Sequence, residues 1–207
     1  MTNAFAQLLR AFQQDHAMLG RGFHELSCCL RDGDAAGACA AGRRIQQVAG
    51  AHIGFEEEAY YPALVPLLGE QAVRQMRQEH CCGIDAVSTL VARGPDLPLT
   101  PDLKARLLAQ SEIMEEHIAE CGDHFAALRR IPAAKQQELY EKLLEWRQQP
   151  ELDLERRTVG CGGLRLAQCF PAALPPGAGQ RSTLPIIERY SAGMRVNSAR
   201  QRAWQRA

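Results

Sequence analysis

Residues 51–69 read AHIGFEEEAYYPALVPLLG. His52 stands one turn ahead of three glutamates, and the run then changes to two tyrosines and a proline. On a helix turning about 100° per residue, His52 and Glu56 fall on one side, a turn apart. An imidazole and a carboxylate stacked in this way can meet one metal ion or bridge two. Glu57 and Glu58 rotate off that face toward solvent. Tyr60, Tyr61 and Pro62 begin to close the core.

Helical periodicity continues on both sides of this stretch, and strand signals are almost absent from residue 1 to 149. Phe5, Leu8, Leu9, Phe12, His16, Leu19, Phe23 and Leu26 recur at three- and four-residue steps, which predicts a first helix ending near RDGD (Arg31 to Asp34). Asp34 is a natural N-cap for a second helix running through Ile45, Val48, His52, Phe55 and Glu56 to about Leu68. A third carries Val73, Met76, His80, Ile84, Val87 and Leu90. RGPDLPLTPD (Arg93 to Asp102) is rich in helix breakers and ends in Thr100-Pro101, an N-cap and N1 pair. The fourth helix runs through Leu103, Leu107, Ile113, Met114, His117 and Cys121 to about Leu128. A shorter, charged fifth helix is expected over about Ala133 to Gln148. Long helices joined by short loops predict an all-α, up-down-up-down four-helix bundle. The expected divisions are a bundle over 1–130, an added helix packed on it over 131–150, and a Pro/Gly/Arg-rich tail over 151–207. That tail has no useful apolar stripe and reads as largely disordered. Met18 and Met114 read as core filling.

The formal charge of zero conceals an asymmetry. Of the 24 basic residues, nine arginines lie from Arg156 onward, and of the 24 acids only Glu188 does, so the first 155 residues hold 15 bases and 23 acids. Nucleic acid is not the expected partner of this basic tail, even with Tyr190 and Trp204 in it, because no folded recognition motif accompanies the arginines. An acidic protein surface, on a partner or on the chain's own bundle, is the alternative. The eight cysteines form no CxxC ladder and include two adjacent pairs, which argues against a disulfide scaffold or zinc ribbon; most read as small apolar residues or exposed thiols. No secretory leader is legible, and no apolar run approaches the roughly 18–20 residues that span a bilayer. A cytoplasmic protein making no membrane contact is expected. P-loop, GxGxxG, GxSxG and HExxH motifs are absent, so any enzyme chemistry runs through a metal.

All six histidines (16, 24, 52, 80, 117 and 124) lie in the four long helices, and each helix has one on its apolar stripe. A single such histidine is usually a satisfied core residue, and His24, off the main face, is read that way. Four facing one another would leave several polar atoms unpaired unless they share a partner. A metal is such a partner, and imidazole with carboxylate inside a helical bundle is the composition of a non-haem iron site.

QDHAMLGRGFHEL (14–26), HIGFEEEAYYPAL (52–64), RQEH (77–80) and EEHIAECGDHFAAL (115–128) resemble the hemerythrin-like, or HHE cation-binding, proteins. The family pattern is a histidine on the first helix, HxxxE and an aromatic-proline pair on the second, a histidine on the third and HxxxE on the fourth. The resemblance covers roughly residues 5–130. It implies His16, His52, Glu56, His80 and His117 as ligand positions of an iron centre, di-iron by family habit and possibly mono-iron here, with zinc less favoured. It also implies dioxygen or nitric oxide as the small molecule engaged.

The pattern breaks at one position. Four residues after His117, where the family places its second carboxylate, this chain has Cys121. His124, about 20° off the His117 face and two turns on, is the first substitute; Glu120 and Cys121 follow, and no replacement is the remaining outcome. Three functions are open at this point. The chain could bind or sense dioxygen or nitric oxide, or act as a metal-dependent stress protein that donates iron or repairs iron centres. It could also be a degenerate bundle with a structural role. Binding is favoured over turnover.

Overall fold

Helix starts and stops fall where the local chemistry demands them. In the computed structural model, which describes residues 4–96 and 98–149, the first helix, α1 (Ala4–Asp32), ends at Gly33, whose φ of 75° suits a residue without Cβ. Asp34 then caps α2 (Ala35–Phe55), its Oδ1 accepting from the Gly37 N–H at 2.8 Å. Gly69 and Gly94, also at positive φ, bound α4 (Glu70–Arg93). The Thr100 hydroxyl accepts from Leu103 N–H at 3.3 Å as α5 (Pro101–Phe125) begins. A 3₁₀ turn, Ala126–Arg130, leads to α6 (Ala133–Arg147). Among the described residues every regular element is helical, and no helix is long and apolar enough to cross a membrane.

One expected helix differs. The second long rod is not α-helical throughout: α2 passes into a π-helical segment, Glu56–Tyr60, and then into α3 (Tyr61–Leu68). The Tyr61 N–H donates to the Glu56 carbonyl, five residues back, so one turn is widened by a residue. Periodicity cannot reveal such an insertion, because apolar residues flank it on both sides.

The rods enclose one another in a ring: α1 lies against α2 and α5, and α4 also lies against α2 and α5. Their side chains form two apolar clusters. The first holds Leu19, Phe23, Leu26, Ile45, Ile84, Val87, Met114 and Ile118. The second holds Leu8, Phe12, Phe55, Tyr60, Tyr61, Met76, Phe125 and Leu128. On every long rod, the residues between the two clusters are the polar ones described below. Helix α6 rests on α1 and α2 and contributes Leu139 and Leu143 to the second cluster. Met18, expected in the core, is 42% exposed; Met114 is buried. Cys28, Cys29, Cys39 and Cys121 are free thiols and Cys82 is buried, whereas Cys81 is disulfide-bonded. The basic tail, and the expectations attached to it, lie outside the described residues.

Leu143 and Leu144 test how α6 is seated. Leu143→Ala, at a position with no exposure, is expected to cost about 2–5 kcal/mol in urea unfolding. Leu144→Ala, at 36% exposure, should fall within about 0.5 kcal/mol of the parent. Equal losses would mean that α6 docks by another face.

Candidate metal centre

Between the two apolar clusters lies a layer of buried polar side chains, one or two from each long rod. His16 comes from α1, His52 from α2, Glu56 from the first residue of the π segment, His80 from α4 and His117 from α5; none is more than 4% exposed. The Glu56 carboxylate sits in the middle. Its Oε1 is 3.4 Å from His52 Nε2 and 3.8 Å from His16 Nε2, and its Oε2 is 3.0 Å from His80 Nε2. His80 Nε2 is 3.1 Å from His117 Nε2. Ligand-type atoms within 4.8 Å of one another form two groups sharing Glu56: His16–Glu56–Cys121 and Glu56–His80–His117.

Each ring is held from behind. Nδ1 of His16 faces the Phe12 carbonyl at 3.2 Å, and Nδ1 of His52 faces Asp15 Oδ2 at a long 3.4 Å. His80 Nδ1 meets Glu57 Oε1 at 3.1 Å, and His117 Nδ1 meets Glu79 Oε2 at 2.8 Å. An acceptor behind every ring assigns the proton to Nδ1 and turns the Nε2 lone pair inward, as metal-binding histidines require. Inward lone pairs 3.1 Å apart on His80 and His117 need something positive between them, a proton or a metal ion. His52 Nε2 and Glu56 Oε2 are buried without a hydrogen bond of usable geometry, even with His80 Nε2 close by. Buried polar atoms left in this state call for a partner. The donor set therefore fits a divalent cation.

The electrostatics agree with the geometry. Burial, helped by His52, pushes the His16 pKa down to about 3, so its ring is a neutral donor. Burial likewise lowers His117. Burial also opposes charge on His52, but Glu56 and Asp15 outweigh it and raise the pKa to about 9. His80 is raised in the same way, burial being outweighed by the Glu56 and Glu57 carboxylates beside it. For Glu56, burial is overcome by His52 and His80, which hold the carboxyl well below its usual range. Without a metal, protons on His52 and His80 neutralise Glu56; cation uptake would displace them.

Of the three substitutes considered for the second carboxylate, Cys121 reaches the centre. Cys121 is 1% exposed, with Sγ 3.4 Å from His117 Nε2 and 3.9 Å from Glu56 Oε1. Glu120 is exposed. His124, half-buried, belongs to neither group, because seven residues along an α-helix carry it about 10 Å past His117. His24 is also outside both groups, its Nε2 3.7 Å from Cys28 Sγ. The Cys121 thiol is raised well above its ordinary pKa by burial and by Glu56.

Several contributors were not anticipated. Glu57, expected to face solvent, holds His80 because the wide π turn swings it toward α4; Glu58 is exposed as expected. Asp15 and Glu79 each precede a centre histidine in sequence yet hold the histidine of the neighbouring helix, a role only the packing reveals. The Tyr61 hydroxyl lies 2.9 Å from His80 Nε2 and 3.5 Å from His117 Nε2. Burial, with Glu56 adding, raises its pKa well above the ordinary value, so it keeps its proton. Arg147, from α6, forks onto Asp15 (Nη2–Oδ1 2.5 Å, Nε–Oδ2 3.2 Å) and donates to the Ala11 carbonyl at 2.7 Å. A cavity of about 20 Å³ adjoins the centre, walled on its apolar side by Leu19, Phe23, Ile45, Ile84, Val87 and Met114. It has room for one molecule the size of water.

Two substitutions probe the support behind His52. Arg147→Met removes the fork from Asp15 and should cost about 1.5–3 kcal/mol of stability. Asp15→Asn should weaken divalent-cation binding about 10–100-fold in calorimetric titration. Unchanged affinity would detach Asp15 from the centre.

The sequence model of the hemerythrin HHE cation binding domain matches residues 7–126, more than half of the chain and all of the residues in the two ligand groups. No curated protein and no solved structure matches. The chain belongs to the hemerythrin HHE cation-binding family.

Proposed function

We propose that this chain is an up-down-up-down hemerythrin-type bundle that holds iron in its core and binds or senses dioxygen or nitric oxide there, in the cytoplasm. The observation that carries the reading is the convergence of four inward Nε2 atoms on a single carboxylate, each ring backed by its own acceptor. His16 and His52 with Glu56 Oε1 would hold one ion, and His80 and His117 with Glu56 Oε2 a second. Imidazole and carboxylate together suit iron better than calcium or magnesium, which take oxygen ligands. Bound iron supplies the electrons and the open coordination position that a diatomic gas requires.

The surrounding residues prepare the site for such a guest. Leu19, Phe23, Ile45, Ile84, Val87 and Met114 wall the adjoining cavity with apolar groups, and such low-polarity surroundings strengthen electrostatic interactions. The Tyr61 hydroxyl, protonated and turned to the His80–His117 side, is a hydrogen-bond donor for a small polar guest. Asp15, Glu57 and Glu79 fix ring orientation and raise the basicity of the histidines they hold.

Metal content and absorption spectra of anaerobically purified protein, before and after dioxygen and then nitric oxide, test this reading. One ion per ligand group, two per chain, is expected, with a spectral change that reverses when the gas is removed. Glu56→Ala, which deletes the carboxylate common to both groups, should abolish retention of both. A parent protein that retains no iron and gives no spectral response overturns the proposal. Iron retained but surrendered to a chelator, with no gas response, would replace it with iron donation.

A further inference from the structure

We infer that Cys121 is a metal ligand set between the two ligand groups, so that this chain builds a centre bridged by one carboxylate and one thiolate. The inference rests on the reading that the buried layer binds metal, and it concerns which atoms close that site.

Position is the first argument. Cys121 Sγ belongs to the group with His16 and Glu56, and it also lies 3.4 Å from His117 Nε2 in the other group. Like Glu56, it approaches ligand atoms of both groups. Glu56 reaches the centre from the π segment, and Cys121 reaches it from α5 on the opposite side of the ring. Sγ is 3.9 Å from Glu56 Oε1, so the thiol faces an atom of the shared carboxylate as well as the inward His117 Nε2.

The histidine and carboxylate atoms point to a cation independently of the cysteine. His52 Nε2 and Glu56 Oε2, each in a side chain at most 3% exposed, make no hydrogen bond of usable geometry, although His80 Nε2 lies 3.0 Å from Oε2, and both residues line the cavity beside the centre. A cation there gains imidazole and carboxylate donors whether or not sulfur joins them. With sulfur, both positions acquire a ligand that bridging by a single carboxylate cannot supply. The neighbouring alternatives are excluded by placement, Glu120 by exposure and His124 by its distance along the helix.

The balance of the step is simple. The Cys121 S–H bond breaks, a sulfur–metal bond forms, and the proton leaves to solvent; no electron is transferred. Metal binding by the parent therefore releases one more proton than binding by a variant whose ligand at 121 carries none. A thiolate also shifts preference toward softer ions, so zinc and cobalt should compete with iron better than at an all-nitrogen-and-oxygen site.

Cobalt(II) is the probe that reads sulfur directly. The metal-free full-length chain is titrated with cobalt(II) under reducing, anaerobic conditions, and the near-ultraviolet and visible spectra are followed for the parent, Cys121→Ser and Cys121→Glu. The parent should show an intense thiolate-to-cobalt charge-transfer band that saturates with the weaker visible d–d bands. Cys121→Glu, which supplies a carboxylate, should keep the d–d bands and lose the charge-transfer band, and Cys121→Ser should lose it as well. Helix content by circular dichroism checks that both variants fold. A charge-transfer band of equal strength in parent and variants would place sulfur ligation at another cysteine and overturn the inference. Cobalt bound with d–d bands but no charge-transfer band in the parent overturns it too, while leaving the metal-binding reading intact. No cobalt bound at all overturns both.

Discussion

A single carboxylate, Glu56, governs the interior. An ionised group at 1% exposure is strongly unfavourable unless it is paired, and each of the four long rods answers it with an imidazole. Those imidazoles in turn need their outward nitrogens satisfied, and Phe12, Asp15, Glu57 and Glu79 supply the acceptors. Asp15, itself buried, then needs a cation, and Arg147 provides it. The polar layer is thus a chain of obligations spreading from one residue. The two apolar clusters on either side keep water from relieving any of them.

The π segment lets one short stretch meet several of these obligations. An unbroken α-helix beginning at His52 would turn Glu57 about 100° away from Glu56. With the turn widened, Glu56 faces the centre, Glu57 reaches His80 from behind, and Tyr60 and Tyr61 are both fully buried. Single-turn π insertions are uncommon and often lie at functional sites. This one begins at the residue common to both ligand groups.

The sequence made most of the architecture legible because its signals were local. Asp34 and Thr100 cap helices through their own side chains, and the three- and four-residue spacing from Phe5 to Leu26 needs nothing beyond α1 to be read. His52 and Glu56 were legible for the same reason, one turn apart on one face. What stayed hidden depended on neighbouring helices or on altered helical pitch. Glu57 appeared to face solvent because a regular turn was assumed. Met18 appeared buried because an apolar residue near a stripe was counted as part of it. At Cys121 the spacing identified the departure from the family pattern, but angle alone favoured His124, and axial rise decided against it. Arg147 carried no signal at all, since nothing in a charged fifth helix announces a partner on the first.

The reach of Arg147 separates two kinds of boundary. Similarity to the family ends at residue 126, before α6 begins, yet the hydrogen bonds supporting His52 end on α6. A fragment trimmed to the shared region would keep every donor atom of the two groups while losing the counter-charge behind Asp15. Comparisons between such a fragment and the intact chain would then measure a change of electrostatic environment, although the ligands themselves were identical. Homology marks out the ligand set of this protein, but the field in which the ligands work extends a helix beyond it.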